Sequence, residues 1–78
     1  MILSNLKINQ KAEIQLIHLP KKQSQQLFHL GFFKGAIIQC IRYAPFNDPC
    51  LYEIWGNYIG LRIQDSDAII VKEIHHEK

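Results

Sequence analysis

Several common signals are missing from this 78-residue chain, and each absence removes a class of function. No run approaches the ~18 consecutive apolar residues of a membrane-spanning helix. The opening residues, Met1 to Lys7, lack the longer apolar core of a secretory signal. Together these absences read as a cytoplasmic protein. Cysteine is scarce: only Cys40 and Cys50 are present, too few for the disulfide framework of a small secreted domain. In a reducing compartment each reads as a small apolar packer. The two cysteines and four histidines show no C-x-x-C or H-x-x-x-H spacing, so no metal site is expected. There is no Gly-rich phosphate loop, and nothing local supplies a base to a catalytic cysteine. Asp65 and Asp67 stand two apart in a polar turn and read as helix capping. No catalytic, metal or cofactor residue is assigned, and the chain reads as non-enzymatic. Charge of one sign is also lacking: nine Lys and Arg stand against seven Asp and Glu, for a net charge of +2. The basic residues are scattered, with Lys21-Lys22 the only adjacent pair. A nucleic-acid binder concentrates such charge on one stripe.

What is present is a folded domain. The hydrophobic fraction is 47% and the charged fraction 21%, too apolar for a disordered chain. The length fits one domain with a thin core, covering residues 1–74 with a polar tail at 75–78. Leu3-Ser4-Asn5-Leu6 reads as a short opening turn. Residues 11–18 alternate, with Ala12, Ile14 and Leu16 on the apolar side, the period-2 pattern of a half-buried strand. Residues 24–30 place Leu27 and Leu30 on one helical face, and Gly31 follows where helices stop in a left-handed conformation. Residues 38–43 are largely β-branched or aromatic and read as a second strand. Residues 44–49 are a proline-bracketed turn. Residues 50–55 alternate again, Gly56-Asn57 signals a tight hairpin, and 58–63 form a fourth strand. A polar turn at 64–67 leads to a fifth strand from Ile69. The expectation is a mostly β fold: a small barrel of about five strands, with one short α-helix after the first strand.

The segments resemble the FeoA family, small cytoplasmic accessory proteins of bacterial ferrous-iron transport. The resemblance spans about Leu3 to Val71. It rests on Leu3-Ser4-x-Leu6, Leu27-x-x-Leu30-Gly31-Phe32-x-x-Gly35, Ala44-Pro45-x-x-Asp48-Pro49, Gly56 and Leu61-Arg62. It implies an SH3-like barrel and a partner: the cytoplasmic, GTP-binding part of the FeoB membrane transporter. The chain departs from the family pattern at three places. Ile8-Asn9 stands where Pro-Gly is usual, and Asn tolerates the positive φ such a turn needs. Gln26 replaces a common arginine, and Ser66 stands where an apolar residue is usual, which predicts a looser last helical turn.

The eight aromatic residues exceed what so small a barrel can enclose. Strand parity puts Cys50, Tyr52 and Ile54 inside and turns Trp55 out. Phe46 sits at a loop tip and Phe33 in a turn. Exposed aromatics are enriched in interface hot spots, so Trp55, Phe46 and Phe33 form the expected docking surface. The motif residues Phe32 and Arg62 complete the candidate set. Such aromatics would serve a second copy of the chain equally well. The alternative function is a nucleic-acid-binding small barrel, which the aromatics fit and the scattered charge does not.

Overall fold

In the computed structural model, residues 1–43 and 49–74 are described. The expected loop residue Phe46, the turn around it and the tail at 75–78 lie outside the described residues. Met1 and Ile2 lead into a 3-10 turn, Leu3–Asn5, which buries Leu3. Strand β1 spans Lys11–Ile17, helix α1 Lys21–His29 and β2 Ile37–Tyr43. Strands β3, Cys50–Ile54, and β4, Asn57–Leu61, form a hairpin. Helix α2, Ile63–Ser66, leads into β5, Ile69–Ile74. The five strands make one antiparallel sheet in the order β4-β3-β2-β1-β5, with α1 inserted after β1 as the sequence predicts.

Two bulges bend this sheet. On β1, Ile14 faces Val71 while Leu16 faces Ile70, so Gln15 is the extra residue. On β2, Cys40 faces Tyr52 while Arg42 faces Leu51, so Ile41 is extra. A bulge reverses the inside-outside alternation beyond it. Leu16, expected inside, is therefore 50% exposed, and Ile17 packs against the core instead. Strand β3 has no bulge against β4 and keeps its parity: Cys50, Tyr52 and Ile54 are buried.

The core joins those residues to Leu3, Leu6, Ile14, Phe32, Ile38 and Ile69, among others. It thus draws on the 3-10 turn, β1, β2, β3, β5 and the segment just after α1. Asn9 takes the left-handed turn position at φ 71. Its N–H donates to the Cys40 carbonyl at 2.6 Å, and its own carbonyl accepts from Gln39 Nε2 at 3.1 Å. Ser66 does not loosen α2: it is fully buried and accepts a hydrogen bond from the Tyr52 hydroxyl at 3.2 Å.

The two edges of the sheet are treated differently. Beside β5 runs the N-terminal segment, with Ile2 bridged to Ile70. The Val71 N–H donates to the Met1 carbonyl at 2.8 Å, and the Met1 amino group donates to the Val71 carbonyl at 3.1 Å. On the outer side of β4, away from β3, no described strand is paired.

Candidate docking face

Helix α1 begins at Lys21, three residues before the sequence predicts, directly after Pro20. Proline suits this boundary because the first helical turn lacks partners for its N–H groups. Along α1 only Leu27 is buried. One residue later the helix has turned by about 100°, so Phe28 points outward and is 59% exposed. Leu30, expected on the buried face with Leu27, caps the helix end and is exposed.

Gly31 reverses the chain at φ 98, as its position after the helix predicts. That reversal sends Phe32 into the core at 1% exposure and leaves Phe33 half-buried. Phe32 is therefore a correction to the expected docking set, because its ring supports the face from below and has no surface to offer a partner.

The β3–β4 turn brings the other half of the face. Its closing pair is Ile54 with Asn57, so the two turn residues are Trp55 and Gly56, one position earlier than the Gly56-Asn57 signal suggests. Their φ values are 52 and 82, the double positive pattern of a type I′ hairpin. A bulky residue with positive φ is an outlier that costs on the order of 1–3 kcal/mol. Contacts with the end of α1 hold Trp55 there. Its Nε1–H donates to the Gly31 carbonyl at 3.1 Å. The indole lies so close over Gly31 that a Cβ on that residue would stand 2.2 Å from Trp55 Cδ1.

The outcome is an aromatic row. The Phe28 and Phe33 ring centroids lie 5.4 Å apart, and those of Phe33 and Trp55 6.1 Å apart. Trp55 is 66% exposed. The row borders an open depression of about 440 Å³ whose walls also include His29, Leu30 and Asn57. Sequence parity finds Trp55, and the turn before Gly35 suggests Phe33. Phe28 and Leu30 escape because the helix carries too few apolar residues to fix its buried face. Arg62 is exposed but stands at the start of α2, at the opposite end of β4 from Trp55.

Beside this face, α1 and β4 enclose a groove of about 200 Å³. Leu19, Leu27, Leu30, Ile59 and Leu61 make it apolar, with Gln23, Gln26 and Asp65 among its polar walls. Leu30 belongs to both the groove and the aromatic depression, so the two are continuous.

Cys40 and Cys50 are both buried, and burial pushes the Cys40 thiol above its ordinary value. A raised, buried thiol of this kind is an inert packer. Among the described residues no group of three or more His, Cys, Asp or Glu could hold a metal ion, and no helix is long and apolar enough to cross a membrane.

Comparison with known proteins gives one family. The FeoA domain model matches residues 1–73. The chain is similar to the FeoA protein of Chlorobium tepidum, at 27% identity and a TM-score of 0.93, over 100% of this chain and 74% of that one. It is similar to iron(II) transport protein A of Clostridium thermocellum, at 30% identity and a TM-score of 0.88, over 95% of this chain and 46% of that one. A third likeness is to Stenotrophomonas maltophilia FeoA, at 25% identity and a TM-score of 0.76, over 92% of this chain and 89% of that one. That protein is complexed with zinc and described as a prokaryotic SH3 domain protein, suggested to act as a ferrous iron transport activating factor. No curated protein matches the chain.

Proposed function

The chain belongs to the FeoA family, and from that premise we propose that it is a non-enzymatic accessory protein of ferrous-iron uptake, acting in the cytoplasm by docking on the GTP-binding part of a FeoB-type transporter. The observation that carries this reading is the aromatic row Phe28–Phe33–Trp55, fixed in place by the bond from Trp55 to Gly31. Rigid exposed aromatics lose little conformational entropy when they are covered, which is why they dominate interface hot spots. Trp55 and Phe33 are the central contacts. Arg62 acts as a rim contact at the far end of β4. A module of this kind alters its partner only through unequal affinity for two of the partner's states.

The test is calorimetric titration of the purified cytoplasmic part of the FeoB-type transporter from the same cell with this protein, in GTP- and GDP-loaded forms. The proposal expects saturable one-to-one binding with different affinities for the two forms. Salt separates this reading from a nucleic-acid-binding barrel. Neutralising six to ten phosphates costs about 10³–10⁵ in affinity between 50 and 200 mM salt. A largely apolar protein interface changes far less, so a steep salt slope with nucleic acid and no binding to the transporter would sink the proposal.

A further inference from the structure

The open edge of β4 has the chemistry of a strand-acceptor. The two-residue turn makes Ile54 and Asn57 a hydrogen-bonded pair, and such pairs recur at every second residue of an antiparallel ladder. Asn57, Ile59 and Leu61 therefore turn their backbone groups toward β3. Tyr58 and Gly60 turn theirs to the outside, and no described residue takes them up. The opposite edge shows how this chain covers a strand when it does so, by hydrogen bonds exchanged between Met1 and Val71.

Exposed edges are usually blunted with lysine, proline or a bulge. The β4 sequence, Asn-Tyr-Ile-Gly-Leu, has no charge and no proline, and its ladder with β3 is regular. Helix α1 faces this edge across the 200 Å³ groove without closing it. An unpaired strand edge beside a helix, with apolar walls between them, is the arrangement in which an extended peptide adds as a further strand.

We propose that a segment of the partner docks in extended conformation as a sixth strand on β4, in the groove between β4 and α1. This rests on the docking function proposed above and names its geometry. The segment's backbone pairs with Tyr58 and Gly60. Its alternate side chains meet Leu27, Leu30 and Ile59, and are apolar. A basic residue of the segment lies at the Leu61 end, beside Asp65, the charged side chain on the groove wall. The other end of the segment reaches the depression under Trp55 through the shared residue Leu30.

The experiment is residue-resolved amide hydrogen exchange on the free protein and on its complex with the cytoplasmic part of the FeoB-type transporter. The expected result is at least tenfold slower exchange at both Tyr58 and Gly60 in the complex. A complex that forms with both amides exchanging at their free rates overturns strand addition and leaves the docking function standing. If no complex forms, the docking function fails and strand addition fails with it. Gly60→Pro gives a second reading. It removes an outward N–H at an edge position where proline is tolerated, and a side chain there meets only Pro49, at 3.7 Å. Binding should weaken at least tenfold with the β spectrum retained. Unchanged affinity in a folded Gly60→Pro variant contradicts the proposal.

Discussion

Tyr52 and Ser66 form a polar pair inside the core: both are fully buried, and the Tyr52 hydroxyl donates to Ser66 Oγ at 3.2 Å. The pair ties the middle of β3 to the end of α2. It explains how a hydroxyl is accommodated where an apolar residue would ordinarily pack.

A buried polar atom that loses its partner costs about 1–3 kcal/mol, whereas removing both partners is close to neutral. Tyr52→Phe and Ser66→Ala should each destabilise by about that amount. The double variant should cost less than the sum of the two. Denaturant unfolding of the four proteins measures the coupling. Strict additivity would mean that the hydroxyls do not depend on each other.

The same burial predicts alkaline sensitivity. Burial is the largest cause raising Tyr52 and Tyr43 above their ordinary 10.0, and Cys40 above 9.0. The unfolded chain thus loses these protons at lower pH than the folded one does. Stability is fully present below the unfolded values and declines as pH rises past about 9 toward the folded ones. Thermal unfolding followed from pH 7 to 11 should show a plateau and then a fall. Tyr52→Phe should flatten the fall, and an identical alkaline slope in that variant would exclude Tyr52 as its source.

Much of the fold is legible where local rules act alone. Strand β3 has no bulge against β4, so alternation alone places Cys50, Tyr52 and Ile54 inside. Asn9 holds its turn because asparagine tolerates positive φ, which is 71 there. Legibility fails where distant parts of the chain decide. The bulge at Gln15 exists because β1 must pair with β5, and it reverses Leu16. The first turn of α1, Lys21-Lys22-Gln23, has no apolar periodicity to reveal it. The aromatic row depends on the bond between Trp55 and Gly31, 24 positions apart, and no windowed pattern contains that.

Gly31 is constrained twice, by its φ of 98 and by the indole above it. Gly31→Ala should cost about 1–2 kcal/mol from the left-handed backbone alone, and more because the indole must move. In a domain this small each 1 kcal/mol shifts the melting temperature by about 4–8 °C. Trp55 is the sole tryptophan, so its emission should shift to the red as the ring is displaced. In a Trp55→Ala background Gly31→Ala should retain only the backbone cost. If its cost is the same in both backgrounds, the indole does not press on Gly31.

Trp55 allows binding to be separated from folding. A type I′ hairpin favours Asn-Gly, yet this chain places tryptophan at a φ of 52 and carries the strain. Backbone strain retained at an exposed aromatic points to a use outside folding. Trp55→Asn restores the preferred turn residue while it deletes the indole and its bond to Gly31. The relieved backbone offsets the lost contacts, so stability should stay within about 1 kcal/mol of the parent, given that an exposed hydrogen bond contributes about 0.5–1.5 kcal/mol net. Affinity for the transporter's cytoplasmic part should fall by about 2 kcal/mol or more, the size of a hot-spot residue and roughly a thirtyfold loss. Chemical unfolding and calorimetric titration on the same preparation decide the matter. A variant that binds as tightly as the parent would remove Trp55 from the docking face. One that unfolds far more easily would assign the tryptophan to the fold.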